Sequence, residues 1–207
     1  MIELTIKKED INRIHNLLAE LDPKKQDGAI HKGILKASAT VLGQLVNNVS
    51  GLILKRRTGN LAQSMGFRVE KDNEGNFEGI IGSGASLRTA RMVYANIHET
   101  GGIIRPKNAR YLTIPLPSAQ TPAGVGRFTA REVRDGMTGY DGSFFRRSRA
   151  GNLILFGTQG NRVIPLFILK QSVTIPARRY MSVTVEQTQD KVVDNIVDKI
   201  KEAKEQG

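Results

Sequence analysis

The chain has 207 residues, 31 Lys+Arg against 20 Asp+Glu, a formal net charge of +11 and no cysteine. That length carries a core without staples, and the missing thiols exclude disulfides, thiolate zinc sites, iron–sulfur clusters and cysteine nucleophiles. No apolar run approaches the roughly 18 residues of a membrane span, and the start, Met1-Ile2-Glu3-Leu4-Thr5-Ile6, shows neither a basic leader nor an apolar stretch. The charge is uneven: residues 88–180 hold 15 Lys+Arg and 4 Asp+Glu, so the whole excess sits there. Such a concentration is either a solvated basic face or a surface turned toward DNA or an acidic partner.

Taken in chain order, the first element is a helix, with Ile11, Ile14, Leu17, Leu18 and Leu21 on one face and Glu9 and Asp10 in its first turn. Asp22-Pro23 ends it, because a residue before proline avoids the α region. A second, longer helix follows, with Asp27 as N-cap, a stripe of Ile30, Ile34, Val41, Leu45, Val49 and Leu52, and the basic end Lys55-Arg56-Arg57. Gly33, Gly43 and Gly51 each weaken it by about 1 kcal/mol against alanine, which close packing against a neighbour would explain. Thr58 or Asn60 caps a short helix, and residues 66–71 and 76–81 read as strands joined by Asp72-Asn73-Glu74-Gly75. Residues 88–99 look helical and stop at Gly101-Gly102; Ile103-Ile104 and Tyr111–Ile114 are short strands split by Pro106.

Residues 115–151 read as a long excursion, with three prolines, six glycines, six arginines and aperiodic Phe128, Tyr140, Phe144 and Phe145. Loops of this length are functional or disordered, and this one is expected to order only against a neighbour. Strands resume at 152–156 and 163–169, and a last amphipathic helix starts near Arg179 with Met181, Val185, Val192, Ile196 and Ile200 on one face.

Catalytic signatures are weak. His98-Glu99 lacks the histidine four residues on that a zinc protease helix needs, since position 102 is glycine. Gly82-Ser83-Gly84 has no following Gly-Lys-Ser/Thr, and Gly124-Val125-Gly126 has no third glycine, position 129 being threonine. Only Glu99, Glu132, Asp135 and Asp141 are acidic in 88–180, too sparse for a two-metal nuclease or a carboxylate pair. The chain therefore reads as no enzyme, with no metal and no cofactor.

Four segments carry a resemblance. They are Arg57-Thr58-Gly59-Asn60-Leu61-Ala62-Gln63-Ser64, Tyr94-Ala95-Asn96-Ile97-His98-Glu99-Thr100-Gly101-Gly102, Lys107–Pro115, and Ile175-Pro176-Ala177-Arg178-Arg179-Tyr180-Met181. In this order they resemble the virion-morphogenesis and tail-completion (minor tail, neck) families of tailed bacteriophages, over roughly residues 50–185. The positions that match are Thr58, Gly59, Leu61, Tyr94, Glu99, Gly101, Gly102 and Pro176; Arg179 stands where the family often has proline, and 115–151 is an insertion. The resemblance implies a ring of copies, expected to be a hexamer, at the head–tail junction or the head-proximal tail end. The partners would be neighbouring neck and tail proteins, with assembly in the host bacterial cytoplasm and no membrane. A tail terminator that sets tube length is the alternative within the family; a sequence-independent basic nucleic-acid-binding module is the alternative outside it.

The expected fold is α+β: one domain, 1–207, with a helical region to 57, an antiparallel sheet built from 58–114 and 152–180, the 115–151 loop, and a helix over 179–205. Arg127, Arg131, Arg134, Phe144, Phe145, Arg146, Arg147 and Arg149 in the loop, with Arg178 and Arg179 at the last helix, are the candidate interface residues; the loop arginines would meet a neighbouring subunit or DNA in the ring lumen. Arg178 and Arg179 sit at the positive end of that helix, which implies either an acidic partner across an interface or simple solvent exposure of the two side chains.

Overall fold

The computed structural model of the chain describes residues 8–86 and 91–206. In order, the elements are α1 (Lys8–Ala19), α2 (Pro23–Asn47), α3 (Asn60–Ser64), β1 (Met65–Lys71), β2 (Phe77–Ser83), α4 (Ala95–Thr100), β3 (Gly102–Ile104) and β4 (Leu112–Pro115). Then come α5 (Ala130–Arg134), β5 (Gly142–Arg147), β6 (Leu153–Gln159), β7 (Arg162–Lys170), β8 (Val173–Ile175) and α6 (Tyr180–Glu205). Every strand pairing among the described residues is antiparallel, and the class is α+β. The chain separates into two compact units, Met1–Thr100 with Ala177–Gly207, and Gly101–Pro176. This differs from the single sheet region expected: the strands form three separate sheets, β1-β2, β3-β8 and β4-β7-β6-β5.

In the first unit α2 begins at Pro23. The Asp22 carboxylate accepts from the Lys24 amide at 2.9 Å, with proline at the first helical position. Asp27 is therefore not the cap; it lies inside the helix and pairs with Lys71 at 2.7 Å. The helix does not run to Arg57. It ends in a π turn over Asn48–Leu52, where Gly51 takes φ 157°. Residues 91–94 are not helical, so the helix read over 88–99 shrinks to α4, and residues 88–90 lie outside the described residues.

The core of this unit is α2 against α6. The buried face of α2 is Ala29, Gly33, Ala37, Ser38, Val41 and Leu45, meeting Thr188, Val192, Val193, Ile196, Val197 and Ile200 of α6 along with the rest of its inner face. Small residues dominate the α2 face because the helices approach closely: a Cβ on Gly33 would stand 3.0 Å from the Ile196 Cα. That corrects the expected stripe, in which Val41, Leu45 and Val49 are buried but Leu52 is 70% exposed. A polar seam continues the contact, with the buried Asn48 amide donating to Thr184 Oγ1 at 2.8 Å and to Gln187 Oε1 at 3.0 Å. The β1–β2 hairpin packs on the same helices through Ile81.

In the second unit the 115–151 segment is not a loop awaiting a neighbour. It contributes a 3₁₀ turn at Pro117–Ala119, helix α5 with a Thr129–Glu132 capping box, and edge strand β5. Ala119 and Val133 are buried with Leu155, Leu166 and Phe167, and Phe128 and Tyr140 pack on them. Aromatic and β-branched residues scattered without period thus converge on one face of β6 and β7, which orders the segment from within.

Two of the three glycines of α2, Gly33 and Gly43, behave oppositely. Gly33→Ala gains about 1 kcal/mol of helix propensity but forces the α2–α6 contact apart, costing about 1–3 kcal/mol, so it should destabilise. A Cβ at Gly43 meets nothing within 4 Å, so Gly43→Ala should stabilise by up to about 1 kcal/mol. Urea unfolding of both variants checks the opposite signs.

Candidate functional site: a capped helix junction and an arginine-rich sheet end

Two of the singled-out segments, 94–102 and 175–181, meet in the first unit. Backbone comes first: the Arg178 amide donates to the His98 carbonyl at 2.8 Å and the Arg179 amide to the Glu99 carbonyl at 3.2 Å. That tether holds Arg179 at φ 49°, the one positive φ of a non-glycine residue among those described, at a cost of about 1–2 kcal/mol. Proline, locked near φ −65°, cannot occupy this position.

Arg179 is the N-cap of α6 and offers no side-chain acceptor to the helix. Glu99 supplies it from α4. Its carboxylate accepts from the Met181 amide at 2.7 Å, the Ser182 amide at 3.2 Å and the Ser182 hydroxyl at 2.6 Å, while being only 8% exposed. A buried carboxylate needs compensation of this kind, and the first turn of a helix provides both unpaired N–H groups and positive potential. The acid at this helix end is Glu99 of the same chain, bonded to the first-turn groups and not to the two arginines. Arg178 and Arg179 remain exposed, and Arg179 lies 3.6 Å from Glu186.

Tyr180 completes the junction. It is 1% exposed and donates its hydroxyl to the Ala95 carbonyl at 3.2 Å. Burial, then the charge of Glu99, pushes its phenol up to about 12. Burial and the Arg178 charge lower His98, whose ring meets Tyr94 edge-on at 6.1 Å. The Arg57–Ser64 segment builds the neighbouring corner. Gly59 sits at φ 83° before α3, Thr58 Oγ1 accepts from the Asn60 amide, and Leu61 packs on the cluster containing Tyr180. Gly101, at φ 71°, and Pro176 lie where the chain leaves and re-enters this unit, and Gly102 pairs with Ile175 in the β3–β8 ribbon.

The second unit holds 11 Lys+Arg and 3 Asp+Glu, a net +8 on 76 residues, and the fold sorts them. Arg131 and Arg134 reach Asp135 at 3.6 and 3.0 Å, and Arg127 donates to the Gln120 carbonyl at 2.9 Å. Asp141 lies at the sheet end where β5 begins, its carboxylate accepting from the Gly160 amide. The opposite end is different. There β5 finishes with Arg146 and Arg147, Arg149 follows in the turn, β7 finishes at Lys170 opposite Leu112, and Arg110 precedes β4. No acidic residue occurs in 101–131 or 142–176, so none of these five cations has a carboxylate from those segments.

A pocket of about 360 Å³ opens at this end, with Tyr111, Arg147, Asn152, Lys170 and Ser172 in its lining. Arg147 donates to the Gly151 carbonyl at 3.1 Å, and Lys170 donates to Asn152 Oδ1. Both charges are thus fixed by neutral oxygens. On edge strand β5, Phe144 stacks on Phe156 at 5.4 Å and Phe145 is 51% exposed. Sequence reading picks out Arg146, Arg147 and Arg149 but misses Lys170, Arg110 and Asn152, which only strand register brings alongside them. Among the described residues no group of three His, Asp or Glu is placed to hold a metal, and no helix is long and apolar enough to cross a membrane.

Comparison with protein-family models, curated proteins and solved structures finds no match for the chain.

The Tyr180 shift fixes a pH window. Because the folded phenol titrates above its unfolded value of 10.0, its contribution to stability is complete below pH 10 and is lost as pH rises through about 12. Tyr180→Phe should lose about 1 kcal/mol at neutral pH with the Ala95 hydrogen bond, yet decline less steeply than wild type across that window. Urea unfolding at a series of alkaline pH values checks it.

Proposed function

We propose that the chain is a structural protein of a tailed-bacteriophage virion, one copy in a closed cyclic ring at the head–tail junction or the head-proximal end of the tail, and that it catalyses no reaction. The observation that carries the reading is the junction at Glu99. Two segments of the resemblance that lie about eighty residues apart, 94–102 and 175–181, bind each other directly. The shared signature therefore specifies the closure of a fold rather than a constellation of reactive groups.

A repeated subunit also needs surfaces for its neighbours. β5 is an edge strand with exposed Phe144 and Phe145, and an uncovered edge is a template for another chain. Head-to-tail contacts made this way must close to avoid filaments, which favours a ring. Tail termination is the second reading within this class. The arginine-rich sheet end favours a nucleic-acid contact, in the ring lumen or on its own.

Electron microscopy of particles from a phage with a stop codon in this gene tests the proposal. Separate full heads and finished tails are expected; tails of abnormal length would shift the role to termination. Normal infectious particles would overturn it.

A further inference from the structure

We infer that the sheet end formed by Arg110, Arg146, Arg147, Arg149 and Lys170 is a binding site for the phosphate backbone of a nucleic acid, with one phosphate seated in the pocket between Arg147 and Lys170. The inference stands on charge and geometry and does not depend on the virion reading.

Arg131 and Arg134 share the α5 region with Asp135 and Glu132, two cations against two carboxylates. Among the described residues, exposed Arg146 and Arg149 have no ion pair or side-chain hydrogen bond, and Arg147 and Lys170 bond to neutral oxygens. Five of the unit's eleven cations thus gather at one end of one sheet, where no carboxylate from 101–131 or 142–176 offsets them.

Shape narrows the ligand. The cations lie just before β4, at the end of β7, and at the end of β5 and in the turn after it, across the width of a four-stranded sheet. With strands about 4.8 Å apart, that row is roughly 14 Å long. A single free phosphate covers a fraction of it, whereas a duplex presents one charge per about 1.7 Å of axis and so about eight over the same length. Four of the five are arginines, whose planar fork suits phosphate oxygens better than a point charge does. The pocket adds the Asn152 amide and the Ser172 hydroxyl as neutral donors beside the two charges. No base-reading element enters this surface, so recognition is of the backbone and independent of sequence.

The test is fluorescence anisotropy of the full chain with a labelled mixed-sequence DNA duplex over a salt series. Wild type should bind with a steep salt slope, each phosphate contact contributing about 0.9. Arg147→Ala/Lys170→Ala should lower the slope by about 2 and weaken binding on the order of tenfold at low salt. Arg146→Ala/Arg149→Ala, which removes no contact of the fold, should do the same, so a folding defect in the first variant does not decide the matter. Arg131→Ala/Arg134→Ala carries the same charge change and should alter binding little. Equal losses in all three double variants would overturn the site. So would tighter binding of poly-glutamate than of DNA, which would make the surface a protein contact. Displacement of DNA by inorganic phosphate beyond that by chloride at matched ionic strength would reduce it to a single-anion pocket and also overturn it.

Discussion

The structure of the first unit depends on one carboxylate. Helix α6 starts without a side-chain cap of its own, behind a strained Arg179 and beside a second arginine, so its positive end is uncompensated by anything local. Glu99, buried on α4, accepts from the first-turn amides and the Ser182 hydroxyl. Charge-assisted bonds in a buried setting are worth about 1.5–3 kcal/mol each, more than the roughly 1–2 kcal/mol of strain at Arg179. That balance lets the chain re-enter the unit at Ala177 and lay α6 along α2. Once α6 lies there, Gly33 fits under Ile196 and Asn48 reaches Thr184, and the hairpin finds a surface to pack on.

The second unit is organised by charge as well as by packing. Its apolar residues close one face of the sheet over α5 and the 117–119 turn. Its acids are placed away from the β5–β7 turn end: Asp135 and Glu132 serve α5, and Asp141 holds the opposite turn. An arginine count alone treats all nine arginines of this unit as one basic face. Placement separates Arg131 and Arg134, which meet Asp135, from Arg110, Arg146, Arg147 and Arg149, which gather at one sheet end.

Periodicity was enough to find α1, α2, α6 and the β1–β2 hairpin, because their apolar residues recur at the spacing of one face. Boundaries were harder. Asp27 and Asp22 are both good caps by type, and the choice falls to Asp22 because Pro23 suits the first helical turn. The 115–151 segment looked unstructured because its core residues, Ala119, Phe128, Val133 and Tyr140, share no local period and meet only through β6 and β7. Lys170 and Arg110 are not legible as part of this site in the sequence for a related reason, since cross-strand register is a property of pairing and not of spacing. The charge conflict at Arg178 and Arg179 was legible, but its resolution was not: Glu99 lies about eighty residues away in sequence, and nothing in composition links it to the helix it caps.

Amide hydrogen exchange at Met181 and Ser182 tests the capping account most directly. If Glu99 holds the start of α6, these two amides exchange as slowly as Val193 and Val197 in the middle of the helix, and Glu99→Ala releases them to the rate of a frayed end while the mid-helix amides stay protected. Fast exchange at Met181 and Ser182 in the wild-type protein would contradict it, leaving α6 anchored by its apolar face alone.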